Sequence, residues 1–353
     1  MTSIDVFSVL IRLDGGGAER SVGRMVEPLS RKGVNLTRYA IDRALPGEES
    51  DPTRTLVNGS KRGIVRVLTA AVGLAAAIRE GHPHIVHLNC EAPEIVGLVA
   101  KLLTIGQPYG IVVTDHSMKS WSGGRAVLGF FLRSALKAFG ALYVSCFLPD
   151  DPDSKGPVVL NPTGAVTALA PGQTPYPRLV VVGRVIDSKR IDDVLVAASA
   201  CGWPHEVVVI GGGIAARRLS GLASELGLQV HFLGHQKQPW SLVEANDVFV
   251  TASAFEGEPL TLIEALQRKL PVLASNIPAH IKVLGAHPGV FASSAELAER
   301  LKVCLGRPDA LEAFRLPAEQ VDRILQERDP DRIADQWRTV YRGRLRIGGA
   351  NAG

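Results

Sequence analysis

Residues 247–276, DVFVTASAFEGEPLTLIEALQRKLPVLASN, decide the fold class. DVFVTAS is β-branched and apolar, EGEP interrupts it, LTLIEALQRK carries Leu260, Ile263 and Leu266 at helical spacing, and PVLAS returns to strand composition. Strand, loop, helix, strand is the repeating unit of a parallel α/β sheet. Pro259 falls where a first-turn proline is tolerated, because the amide it lacks has no intrahelical partner there. Glu256 in the loop and Glu264 on the helix form an E-x7-E spacing that aims both carboxylates at the loop-side end of the strand, where open α/β sheets bind ligands. Ionised carboxylates accept hydrogen bonds and cannot donate, which suits a hydroxyl-rich ligand. The competing reading is that Glu256 and Glu258 merely favour a helix N-terminus and Glu264 is a solvated helix residue.

Upstream of this stretch the same alternation repeats. RLVVVG is a strand, and Arg184 and Lys189 follow it at a spacing that can bring a planar fork and a point charge onto one phosphate, or that makes them ordinary surface cations on a loop. EVVVI leads into GGGIAARRLSGLASELG, where Gly211, Gly213 and Ala216 make a G-x-G-x-x-A turn. The next strand, QVHFLGHQ, lacks the acid that would hold an adenosine ribose, so backbone amides facing a nucleotide are the preferred role. PWSLVEAN reads as a further helix.

In the first half, SIDVFSVLI is a strand, RLDGGG a glycine-rich loop and the helix that follows ends at Gly33. Such a loop before a helix start is an anion site or simply a tight turn. Residues 68–80 read as helix, HIVHLN as strand, PEIVGLVAKLLTIG as helix and YGIVVTDHS as a strand ending at His116. The helix from Arg125 to Gly140 carries Leu128, Phe131, Leu132, Ala135, Leu136 and Phe139, and is expected to face the core in preference to a membrane surface. Pro, Gly, Asp and Ser accumulate between Pro149 and Pro177, which places the domain boundary there. The expected organisation is residues 1–163 as one Rossmann-like domain, 164–329 as a second, and a helix at about 330–347 packing back on the first; Ile333, Trp337, Val340 and Tyr341 give the tail its apolar stripe, helical from Pro317.

With 353 residues, 46% of them hydrophobic and 21% charged, the chain can build more than one core. The formal charge of +4 is small and scattered, which argues against a nucleic-acid surface. Cys90, Cys146, Cys201 and Cys304 form no C-x-x-C pair, so a reducing, cytoplasmic setting fits better than a disulfide framework. The N-terminal run contains an acid and no basic leader, and reads as a first strand, not a secretion signal. Neither His82, His84 and His87 nor the acids Asp150, Asp151 and Asp153 form a convincing metal site: strand alternation separates His84 from His87, and the acids lie in a proline-broken linker.

Taken together, VGRVIDSK, the glycine turn, FLGH, DVFVTASAFEGEPLTLIEA and PVLAS resemble, in order, a retaining glycosyltransferase of the GT-B fold, family 4 group, whose two Rossmann-like domains face a cleft. GGGAER, VVTDHS and VVLNPTG in the first half agree more loosely. The resemblance implies that Arg184 and Lys189 bind the diphosphate of a nucleotide sugar, that Glu264 accepts ribose hydroxyls and that Glu256 faces the donor sugar, with Glu258, Pro259 and Leu260 beside it. It further implies Gly16 and Gly17 on the phosphates, His116 near the sugar, and backbone around Gly234, His235 and Gln236 at the base. Cations then carry the leaving-group charge, no metal or cofactor is expected, and retention follows from same-face attack with the departing phosphate as base. A UDP-sugar and a hydroxyl acceptor are the expected substrates; Asn89, Glu91, Lys119 and Trp121 are polar but unspecific candidates on the acceptor side, and the sequence leaves the oligomeric state open.

Three departures stand out. Arg190 occupies a position commonly glycine in the family, and Glu258 one commonly aromatic or apolar. The segment between Ser145 and Asn161 is also short and lacks the helix usual there. Competing functions are a non-hydrolysing sugar-nucleotide epimerase on the same scaffold, a NAD-dependent oxidoreductase resting on the G-x-G-x-x-A turn, and a catalytically silent nucleotide-sugar binding module.

Overall fold

Valine-rich runs buried on both faces are the signature of a parallel sheet covered by helices on either side, and the chain builds two of them. The computed structural model describes residues 3–13, 16–42, 54–57, 62–116, 121–148, 156–170, 177–306 and 308–349. The chain divides into one unit of Met1–Thr163 with Glu327–Gly353 and a second of Gly164–Gln326.

The first unit holds β1 (Ile4–Leu10), β2 (Val34–Ala40), β3 (Ile85–Asn89), β4 (Gly110–Asp115) and β5 (Leu142–Ser145), all parallel, in the order β2-β1-β3-β4-β5. Its helices are α1 (Gly17–Arg31), α2 (Gly63–Gly81), α3 (Glu91–Leu103) and α4 (Ala126–Ala138), with α11 (Pro330–Gly349) returning from the end of the chain. Right-handed crossovers require α1 on one face and α2, α3 and α4 on the other. The cores agree: Ala70, Leu74, Val96 and Leu136 pack on one side, and Met25, Leu29, Ile333 and Trp337 on the other. Gly33, at φ +77, ends α1 in the left-handed conformation that glycine adopts without strain.

The two histidines of β3 and its lead-in part company. His84 accepts from the Asp5 amide at 3.0 Å, whereas His87 is buried between Thr114 and the Tyr341 hydroxyl, the latter 2.9 Å from its Nδ1. Burial pushes the His87 imidazole down to about 3.

The second unit holds β6 (Leu179–Val182), β7 (Val207–Ile210), β8 (Val230–Phe232), β9 (Val248–Thr251), β10 (Val272–Ser275) and β11 (Val290–Phe291), parallel in the order β11-β10-β9-β6-β7-β8. Helices α5 (Ile191–Ala200), α6 (Ala216–Glu225) and α9 (Ser294–Gly306) cover one face; α7 (Leu260–Gln267), α8 (Pro278–Leu284) and α10 (Ala318–Glu327) cover the other.

Several expectations need correction. The helix expected over 68–80 begins at Gly63, because Ile64, Val65 and Leu68 extend its period upstream. PWSLVEAN is only a 3-10 turn, Pro239–Leu242, followed by extended backbone at Val243. The C-terminal tail breaks into α10 and α11 ahead of Pro330, where proline opens a new helix. Pro259 does not lie in the first turn of α7 but directly before it. The largest correction is α4: only Gly129, Leu132 and Leu136 are buried, while Val127, Leu128, Phe130 (68%) and Phe131 (65%) are exposed. These four apolar side chains do not face the core. The acids at 150–153 and Lys119 lie outside the described residues.

Candidate active site

In each sheet the strand order reverses once, and a reversal leaves a crevice at the carboxyl ends of the two central strands. In the second unit that point lies between β6 and β9, which run side by side with Leu179 opposite Val248. The loop leaving β6 carries Arg184 and Lys189, and the loop leaving β9 carries Ser253 and Glu256. The Ala254 amide donates to the Ser188 carbonyl at 2.8 Å, stitching one loop to the other.

Lys189 and Glu256 meet directly. Lys189 Nζ donates to Glu256 Oε1, and Ser253 Oγ donates to the same oxygen at 2.7 Å. Both side chains are mostly buried, so the pair is screened less than a surface one. Ser253 is itself held: its carbonyl accepts from Ser275 Oγ at 2.7 Å, and Ser275 contacts the buried His280 ring. Arg184 is exposed on the same loop, and among the described residues its side chain has no ion-pair partner. Lys189 is therefore not a solvated surface cation, while Arg184 is exposed. Arg190, next to Lys189, sits at φ +47 and ψ 44, a left-handed position that glycine tolerates best, and pairs with Asp193 at 2.5 Å.

Glu264 is not solvated either. It is 5% exposed, and its Oε2 accepts from Trp240 Nε1 at 2.9 Å; the Arg268 guanidinium lies 4.7 Å over the Trp240 ring and donates to the Glu264 carbonyl at 2.8 Å. Glu258 is half-buried, its carbonyl accepting from the Leu260 amide at 2.9 Å, and Pro259 is buried. No local spacing links Trp240 to Glu264, and sequence reading missed it.

The glycine turn after β7 abuts the Arg184 loop. A Cβ on Gly211, at φ +153, would stand 1.7 Å from the Gly183 carbonyl oxygen, and one on Gly213 would stand 2.0 Å from that of Val185. The Val185 amide donates to the Gly212 carbonyl at 2.9 Å. These glycines let two loops pack backbone to backbone. Gly234, at φ +66, turns the chain after β8 and bridges to Gly211, with His235 and Gln236 exposed beyond it.

In the first unit the reversal lies between β1 and β3. Gly16 caps α1 with extended backbone and its carbonyl accepts from the Arg20 amide at 3.1 Å; Gly17 begins the helix. His116, at the end of β4, has Nε2 3.1 Å from Asn89 Oδ1. Asn89 is buried at the end of β3 and donates to Ser8 Oγ at 3.0 Å and the Val9 carbonyl at 3.2 Å. Its oxygen is thereby left for the imidazole, which makes His116 Nε2 the protonated nitrogen. Burial holds the His116 imidazole down to about 4, against an opposing hydrogen bond with Asn161. Ser21 and Asn161, joined at 2.5 Å, complete this polar cluster and were not singled out as site residues from sequence. Glu91 accepts from the Trp121 amide at 2.6 Å and pairs with Arg125, while the Trp121 ring is buried. Glu91 and Trp121 therefore serve the local fold.

Two family descriptions match the chain: Glycosyltransferase Family 4 over residues 15–147, and Glycosyl transferases group 1 over residues 171–315. The chain belongs to the family 4 type of GT-B glycosyltransferases. A lipopolysaccharide 1,6-galactosyltransferase of Salmonella typhimurium is 31% identical over 129 residues, 34% of this chain and 36% of that protein. No curated relative is matched over more than 36% of its length. Among solved structures, sucrose-phosphate synthase from Thermosynechococcus elongatus superposes with a TM-score of 0.74 at 18% identity, covering 96% of this chain and 98% of that one. Anabaena HepE in complex with UDP and glucose gives 0.71 at 14% identity, covering 96% and 99%. At these identities the structural likeness establishes the GT-B fold.

Proposed function

We propose that this glycosyltransferase moves a hexose-type sugar from a UDP-sugar to a hydroxyl acceptor with retention of anomeric configuration. The observation that carries the reading is the Lys189–Glu256 pair at the β6/β9 reversal, on loops bonded to each other, with Arg184 exposed on the Lys189 loop. As the glycosidic bond breaks, negative charge grows on the departing diphosphate. Arg184 and Lys189 carry that charge, and the Glu256 contact fixes the ammonium beforehand, so little reorganisation is needed in the transition state. Glu264, whose carboxylate is held by Trp240, accepts from ribose hydroxyls, and Glu256 faces the donor sugar. Gly234, His235 and Gln236 meet the base. The departing phosphate serves as base for same-face attack, and neither metal nor cofactor takes part. The UDP complex of HepE supports a uridine carrier. Cys90, Cys146, Cys201 and Cys304, none of them in a disulfide among the described residues, support a cytoplasmic setting.

The test is incubation with a panel of UDP-sugars and sugar acceptors, with proton NMR of the products. Transfer from an α-linked donor should give an α-linked product; a β-linked one removes the retaining mechanism. Epimerised donor in the absence of acceptor would point instead to the epimerase.

A further inference from the structure

No helix among the described residues is long and apolar enough to cross a membrane, yet one face of the first unit is strongly apolar. Val127, Leu128, Phe130 and Phe131 stand exposed on the first two turns of α4, and Ile64 (74%), Val65, Leu68 and Val72 on the first turns of α2. Both helices lie on the same side of the sheet, with α3 packed between them. Each begins after a strand's carboxyl end, so the two apolar patches sit at the same end of the layer.

The charge on these two helices and the loops before them is mainly basic. Residues 52–81 contain Arg54, Lys61, Arg62, Arg66 and Arg79 against the single acid Glu80, at the far end of α2; residues 117–148 contain Lys119, Arg125, Arg133 and Lys137 and no acid. This contrasts with a chain whose 39 basic and 35 acidic residues nearly balance. Asp42, Glu91, Glu94 and Asp115 answer Arg66, Arg125 and Arg133, and the Glu94 carboxylate is wholly buried. The sum over this layer stays positive.

We infer that the face formed by the starts of α2 and α4 docks on an anionic lipid bilayer, the apolar side chains entering the headgroup boundary and the cations meeting lipid phosphates. Exposed Phe, Leu, Ile and Val flanked by Arg and Lys is the composition of an interfacial helix surface. A second copy is disfavoured as occupant, since a two-fold contact through this face would set its cations against their own images. The inference is independent of the transfer reading; if both hold, the acceptor is one presented at a bilayer surface.

The test uses no sugar, so its failure and that of the transfer reading are distinguishable. Full-length protein is sedimented with vesicles of mixed phosphatidylglycerol and phosphatidylcholine and with pure phosphatidylcholine, at low and high salt. The expected result is pelleting with the anionic vesicles only, weakened by salt. Phe130→Ser/Phe131→Ser should lower the partition at least about tenfold, with thermal unfolding unchanged because both rings are already in solvent. Ile64→Ser/Leu68→Ser, on the other helix, should do the same. Protein left in the supernatant, equal pelleting with neutral vesicles, or variants that partition like the parent would each overturn the inference. A concentration-dependent dimer in analytical ultracentrifugation that the Phe130→Ser/Phe131→Ser variant abolishes would overturn it in favour of a second copy.

Discussion

Trp240→Phe examines how the carboxylate of Glu264 is held. The indole donates to Oε2 at 2.9 Å, and Glu264 is nearly sequestered from water, so loss of the donor is poorly compensated by solvent. A hydrogen bond to a charged group contributes about 1.5–3 kcal/mol, and the smaller ring also leaves a void. Trp240→Phe should therefore destabilise the chain by about 3 kcal/mol. Glu264→Gln keeps the shape and a neutral acceptor, and should cost about 1 kcal/mol. The double variant should fall short of the sum by about 1–2 kcal/mol, because the second change finds the bond already gone. Urea unfolding followed by far-ultraviolet circular dichroism measures all four forms without relying on tryptophan fluorescence. Additivity to within about 0.5 kcal/mol would refute the coupling, and with it the view that Trp240 orients Glu264.

Further expectations follow from single contacts. The His87 imidazole is pushed down to about 3 by burial, below its unfolded value near 6.5, so the folded state disfavours its protonation; the stability it contributes is complete above about 6.5 and is lost as pH falls toward 3. His87→Gln should flatten the stability profile in that window, where one such group gives a slope of up to about 1.4 kcal/mol per pH unit; an unchanged slope would contradict the burial argument. Gly211→Ala puts a methyl 1.7 Å from the Gly183 carbonyl at φ +153, and should cost about 3 kcal/mol or more, seen as a lowered Tm; a silent substitution would mean the two loops are not packed backbone to backbone. Arg133→Met leaves the buried Glu94 carboxylate without its cation and should cost about 3–5 kcal/mol in a urea titration, a loss under about 1 kcal/mol being the contrary result.

The parallel α/β character was legible because buried β-branched runs and helical spacing differ in period, as in DVFVTAS against LTLIEALQRK. The loops bearing Arg184, Lys189 and Glu256 and the helix bearing Glu264 were legible for the same reason: each follows or adjoins a recognisable strand. The partners were not. Trp240 lies 24 residues from Glu264, and Ser21 lies 140 from Asn161, so no local pattern joins them. The exposed side of α4 was also hidden, since AVLGFFLRSAL is apolar almost all round and periodicity alone cannot say which part meets the sheet. Arg190 shows a third kind of gap: its left-handed backbone is set by the turn into α5, and arginine gives no composition signal for it.

The most direct test of the central claim is a calorimetric titration of UDP into the parent chain and into Arg184→Ala/Lys189→Ala. The account predicts binding by the parent and an affinity at least about 100-fold lower in the double variant, as expected for the loss of two charge-assisted contacts of about 1.5 kcal/mol or more each. Equal affinities, or a parent chain that does not bind UDP, would contradict it.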